Sequence, residues 1–185
     1  MRKDFGAKPY TYPQPVLMIA TYGEDGKPDV MNAAWGGIVG ANEIIVDLSA
    51  HKTTDNIIKN KAFTVGVADL EHLVACDYVG IVSGNKEPDK FAKAGFTAEK
   101  SEKVDAPIIK ELPICVECKL KSYDKETCRL VGEIVNVSVD ERVLDKNGNV
   151  DVAKAAPITF DPFNNAYIRL GEKVGDAFKA GAALK

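Results

Sequence analysis

The chain has 185 residues, 45% of them apolar and 28% charged. At about 100–200 residues per domain this favours a single globular domain spanning 1–185. The 24 Lys+Arg against 27 Asp+Glu leave a formal charge of −3, which argues against tracking a nucleic-acid backbone.

In chain order, Val16–Tyr22 reads as a strand, followed by a turn through Gly23-Glu24-Asp25-Gly26-Lys27-Pro28. Asp29–Gly37 resumes as a strand that runs into small residues, and Ile44–Ser49 is a β-rich run. Thr53–Asn60 predicts a short helix with a polar start. Phe63–Ala68 alternates in a strand pattern, while Leu70, Leu73, Val74 and Tyr78 fit one helical face. Pro88–Ala94 predicts a second short helix, closed by Gly95.

The clearest β signal follows. Ile114, Val116, Cys118 and Leu120 alternate with Cys115, Glu117, Lys119 and Lys121. Asp124-Lys125-Glu126 turns the chain, and Thr127–Val139 returns as a long strand with Val135, Val137 and Val139 on one face. Gly132 breaks that phase and predicts a bulge. Asn147-Gly148 is the strongest hairpin turn. The tail from Glu172 to Leu184 reads as helical. Many strands, a few short helices and no βαβαβ rhythm predict a mainly β fold, closed as an antiparallel barrel.

No apolar run approaches the roughly 20 residues that span a bilayer. Met1-Arg2-Lys3-Asp4-Phe5 carries charge with no apolar stretch behind it, unlike a secretory signal. Four cysteines are too few for a disulfide scaffold. The expectation is a soluble, reduced, cytoplasmic protein with no membrane or nucleic-acid partner.

Two segments carry candidate chemistry. In Ser49-Ala50-His51-Lys52-Thr53-Thr54-Asp55-Asn56 a strand ends, cationic and hydroxyl side chains gather, and a helix begins. The first N–H groups of a helix lack internal partners, and its dipole favours an anion there. Ser49, Lys52, Thr53 and Thr54 complete a plausible phosphate cradle. The plainer alternative is that Thr53 or Thr54 caps the helix and Lys52 is solvated. In Asp29-Val30-Met31-Asn32-Ala33-Ala34-Trp35-Gly36-Gly37 small residues surround the only tryptophan. A backbone so sparsely covered can approach a flat ligand, with the Asn32 amide at its polar edge. Alternatively Trp35 fills the core and the glycines form a bulge.

The order of these segments, together with Phe63-Thr64-Val65-Gly66-Val67, resembles the FMN-binding split-barrel family of flavin reductase-like proteins, the flavoredoxin type in particular. So do Tyr78-Val79-Gly80, Ser83-Gly84-Asn85, Asp89-Lys90-Phe91, Leu112-Pro113, Glu117-Cys118-Lys119-Leu120 and Tyr167-Ile168-Arg169-Leu170-Gly171. The likeness runs from about Val16 to Gly175. It implies a six-stranded antiparallel Greek-key split barrel, a homodimer, and FMN near the subunit boundary. It places Asn32, Ala33, Ala34 and Trp35 along the isoalloxazine. Ser49, Ala50, His51, Lys52, Thr53 and Thr54 fall around the phosphate. Lys90 comes within reach of the cofactor, and Phe160 or Phe163, the latter preferred, over the ring. A phosphate of close to two negative charges suits a dipole, a lysine and hydroxyls.

The chain departs from the family in two places. Many reductases of this type carry a late histidine, whereas here the two histidines are His51 and His72, which puts direct use of NAD(P)H in question and leaves a redox partner protein as the other electron source. Lys52 stands where an arginine is common, keeping the charge and losing the bidentate fork. Cys115 and Cys118 lie three apart in a strand, hence on opposite faces, and are expected to serve packing alone. His72 reads as structural or exposed, Cys76 as a helix residue that comes near the flavin only if its helix borders the pocket, Cys128 as a strand residue, and Glu99–Lys103 as a solvated loop. The competing function is a non-catalytic barrel that binds another phosphorylated ligand or serves as an interaction module.

Overall fold

The computed structural model describes residues 1–184. In chain order the strands and helices are β1 (Gln14–Pro15), β2 (Leu17–Tyr22), β3 (Pro28–Ala33), β4 (Gly36–Val39), β5 (Glu43–Asp47), α1 (Lys52–Asn60), β6 (Ala62–Val67), α2 (Leu73–Ile81) and α3 (Lys90–Lys93). There follow β7 (Ala98–Lys100), β8 (Pro107–Ile109), β9 (Ile114–Asp124), β10 (Arg129–Val139), α4 (Val152–Ala155), β11 (Ile158–Asp161) and β12 (Ala166–Arg169). No helix among the described residues is long and apolar enough to cross a membrane.

The main sheet has seven strands in the order β3-β2-β6-β9-β10-β5-β4, all paired antiparallel. Its two edge strands are consecutive in the chain. Only Ala34 and Trp35 separate the end of β3 from the start of β4, so those ends lie within about 11 Å of each other. A seven-stranded sheet can satisfy that tether only by curling back on itself. The result is a barrel whose seam falls at Ala34–Trp35. This corrects two expectations: the sheet has seven strands, not six, and Asp29–Gly37 is two strands broken at the seam.

Curling divides the apolar residues into two cores, and β2 serves both. Leu17 and Ile19 point inward to Val46, Phe63, Val65, Leu130 and Ile57 of α1. Val16, Met18 and Ala20 point outward to Cys76, Val79, Phe91 and Phe96. That is why β2 reads as a continuous apolar run.

Inside the barrel the ring of Phe63 occupies the space a side chain at Gly132 would need. A Cβ there would stand 2.4 Å from Phe63 Cζ, and the β9–β10 register shifts between Val131 and Gly132. The predicted bulge is therefore present and also makes room for an aromatic ring.

Other expectations shift. α2 buries Cys76 and Val79, whereas Leu70 precedes it and Val74 is exposed. Cys115 and Glu117 are buried as well, because the β7–β8 hairpin and its flanking loop cover that face. Glu117 accepts hydrogen bonds from Ser101 and Asn136, so Glu99–Lys103 is not wholly solvated. Val135 and Val137 share a face of β10, as expected, and that face is exposed. The tail lacks the expected long helix and ends in a 3₁₀ turn over Ala180–Leu184. At Asn147-Gly148 the turn forms with Gly148 at φ +80°, but one bridge, Leu144–Val150, replaces a full hairpin. Cys76, Cys115 and Cys118 are buried free thiols, pushed up to about 12 chiefly by desolvation, so they remain protonated and unreactive at neutral pH.

Replacing Gly132 with Ala should lower stability by about 1–3 kcal/mol through overpacking against Phe63, read as a reduced midpoint in urea denaturation. An unchanged midpoint would contradict the inward placement of this backbone.

Candidate functional site

Two adjoining cavities open at the barrel seam. The larger, about 450 Å³, is walled on one side by Asn32, Ala33, Ala34 and Trp35. Leu48, Ser49 and His51 form a second wall, and Asp77, Gly80, Ile81, Phe160 and Tyr167 a third. The smaller, about 260 Å³, continues past His51 to Lys52, Thr53, Ser83, Gly84 and Lys90. Met31, Asn32, His51, Gly80 and Ile81 line both. The arrangement is a broad slot leading into a compact basic corner.

The basic corner is built on the start of α1. Its N-cap is His51, whose side chain makes no capping bond. The first intrahelical bond is donated by Asp55 N–H to His51 O, so the N–H groups of Lys52, Thr53 and Thr54 precede the helical ladder. The threonine hydroxyls do not cap them. Thr53 Oγ1 donates to Asp29 Oδ2 at 2.8 Å, and Thr54 Oγ1 donates to the Ser49 carbonyl at 2.8 Å. This settles the capping alternative against Thr53 and Thr54 and revises their role. Their hydroxyl protons are committed within the protein, and what the helix presents to the corner is bare backbone N–H and a positive dipole end.

Lys90 is only 3% exposed. Its Nζ donates to the carbonyls of Val79 and Val82, each at 3.0 Å, which belong to the last turn and C-cap of α2. Two of its three protons hold that helix end, leaving one for another acceptor. Burial lowers its pKa; Asp29 opposes that shift and Lys52 adds to it. A lysine so desolvated beside a second lysine gains from an anionic partner.

Glycines keep both cavities open. A Cβ on Gly80 would come within 2.9 Å of Asn32 Cβ, and one on Gly84 within 3.2 Å of Lys52 Cδ. Asn32 is held by its Nδ2 donating to the Cys76 carbonyl at 3.2 Å. Tyr167 donates its hydroxyl to Asp77 at 2.7 Å. Burial and then that hydrogen bond push its pKa to about 12, so it stays a neutral phenol. Ser49 Oγ and His51 Nε2 share a 3.0 Å hydrogen bond on the rim.

Of the residues singled out from the sequence, Asn32, Ala33, Ala34, Trp35, Ser49, His51, Lys52, Thr53 and Lys90 all line this slot. Trp35 is 53% exposed, so it does not fill the core. Ala50 and Thr54 are off the lining. Phe163 also stands apart, packing on Phe5, Tyr10 and Tyr12, while Phe160 takes the place on the wall. Asp29, Asp77, Gly80 and Tyr167 were missed as site residues. Asp29 carried a sequence signal, a carboxylate set directly beside the apolar pair Val30 and Met31 in a predicted strand.

A family model described as a flavin reductase like domain matches residues 10–156. The chain belongs to this flavin reductase-like family, and its fold is the split barrel that goes with it. It is 38% identical to a flavoredoxin of Desulfovibrio vulgaris (Miyazaki F), with a TM-score of 0.92 over 98% of this chain and 100% of that one. A flavoredoxin from Methanosarcina acetivorans is 27% identical, with a TM-score of 0.86 over 100% and 98%. An FMN-binding domain of a flavin reductase-like enzyme from Shewanella baltica OS155 shares the fold at 18% identity, with a TM-score of 0.77 over 88% and 89%. Membership supports a flavin-binding role in electron transfer or flavin reduction.

Proposed function

We propose that this chain binds FMN at the barrel seam and acts as an electron-transfer flavoprotein of the flavoredoxin type. The observation that carries the reading is the uncapped start of α1, which meets Lys52 and Lys90 at the closed end of an apolar slot. A phosphate ester carries close to two negative charges near neutral pH. The N–H groups of Lys52, Thr53 and Thr54 and the two ammonium groups supply what it requires. The residues present therefore fit the tail of FMN, and the Ala33–Ala34 backbone with Trp35 offers a flat apolar wall for its rings. The FMN-binding Shewanella baltica protein of the same fold is consistent with that choice.

Bound FMN supplies the acceptance and release of electrons, so the chain needs no nucleophile of its own. Its residues bind and orient. Lys90 ties α2 to the basic corner, Gly80 and Gly84 leave room, and Asn32 offers an amide to a ring edge. His72, the histidine off the slot, is engaged by Asp69. No late histidine stands by the cavity to receive a nicotinamide, which favours reduction by a protein partner.

The purified protein should be yellow and should stay yellow when NADH or NADPH is added without oxygen. It should bleach when a reduced redox protein is supplied. Rapid bleaching by a nicotinamide alone would instead identify a flavin reductase. A colourless folded protein that ignores added FMN would exclude both.

We further propose a homodimer with the slot at its boundary. β4 is an edge strand with Ile38 64% exposed, and Val39 and Trp35 are exposed beside it. Apolar edges of this kind are normally covered. Light scattering should give twice the 20.0 kDa chain mass; a monomer at micromolar concentration would contradict the assignment.

A further inference from the structure

Asp29 is a buried carboxylate at the basic corner that the binding reading leaves without a role. It sits second in β3, opposite Thr21 of β2, and is 5% exposed. Its Oδ2 accepts from Thr53 Oγ1 at 2.8 Å and from Asn56 Nδ2 at 3.2 Å. Those donors lie three residues apart, on one face of the first turns of α1. Its other oxygen faces Gly84. A Cβ on that glycine would stand 3.0 Å from Asp29 Oδ1, 3.2 Å from Lys52 Cδ and 3.6 Å from Lys90 Cε. The carboxylate and both lysine stems thus converge on one stretch of backbone.

Asp29 does not itself line the corner, whose walls carry no carboxylate. It stands behind Thr53, where it anchors the helix start without presenting its charge directly to an incoming anion. A negative group there also offsets the mutual repulsion of two neighbouring ammonium groups. A carboxylate is suited to this place because Oδ2 accepts from both donors while the negative charge, which an amide would lack, lies against the Lys52 and Lys90 stems.

We propose that Asp29 is the positioning residue of the phosphate cradle: by fixing the first turns of α1 through Thr53 and Asn56 and bracing the Gly84 backbone, it sets the preference for phosphorylated over unphosphorylated flavin. This rests on the FMN reading above and deepens it. Asp29 acts through α1 and touches no reacting atom. Its removal is therefore felt by ligands that carry a phosphate and not by those that lack one.

The test titrates flavin-free full-length protein with FMN and with riboflavin, for the wild type, Asp29→Asn and Asn56→Ala. The wild type should bind FMN about a hundredfold more tightly than riboflavin, and Asp29→Asn should weaken FMN about tenfold with riboflavin affinity unchanged. Asn56→Ala, which removes one donor to the same carboxylate, should weaken FMN less and likewise spare riboflavin. It carries the test if Asp29→Asn fails to fold. FMN affinity unchanged in the folded variants, or FMN and riboflavin weakened in equal proportion, overturns the positioning role. A wild type that binds both flavins equally overturns the phosphate cradle itself, and this role with it.

Discussion

The site depends on a helix that begins without a cap. In most helices a Ser, Thr, Asp or Asn at the boundary occupies the first amides. Here the boundary residue is His51, which makes no capping bond, and the two threonines behind it turn their hydroxyls inward to Asp29 and to the Ser49 carbonyl. The protein therefore forgoes a stabilisation of about 1 kcal/mol and keeps a positive helix end open to a ligand. Buried Lys90 adds to the same bias, because its desolvated ammonium is best satisfied when an anion arrives.

The barrel makes that helix end usable. Because the two edge strands are joined by only Ala34 and Trp35, the sheet must curl, and its seam becomes the mouth of the slot. The inner core, with Phe63 lodged over Gly132, holds the curl. Ile57 inserts α1 into that core, which fixes where the helix start points. On the outer side, Cys76 and Val79 join Met18, Ala20 and Val30 in the second core and α2 lies against β3, so Gly80 and the carbonyls that hold Lys90 come to the slot from the opposite direction. Two cores on the two faces of one strand thus place two helix ends of opposite polarity around a single corner.

Much of this was legible in the sequence, for identifiable reasons. Strand and turn signals located most elements, and Gly132 announced its bulge through a break in alternation. The small-residue stretch around Trp35 and the His51–Thr54 segment marked the slot because both combine unusual composition with an element boundary. Local pattern could not show that Asp29–Gly37 is cut at a seam, since that depends on the tether between distant sheet edges. Nor could it show that Thr53 and Thr54 bond inward, because their acceptors, Asp29 and the Ser49 carbonyl, are set by tertiary packing. Asp77 and Tyr167 are 90 residues apart in the chain and meet only when β12 lies beside α2.

The most direct measurement is the ³¹P resonance of FMN bound to the intact protein, followed through about pH 6, where a free phosphate monoester takes up its second proton. A dianion held by the α1 amides, Lys52 and Lys90 should give a shifted signal that does not titrate over that range. A resonance that titrates like free FMN would show a phosphate in water, and the uncapped helix would then have some other purpose.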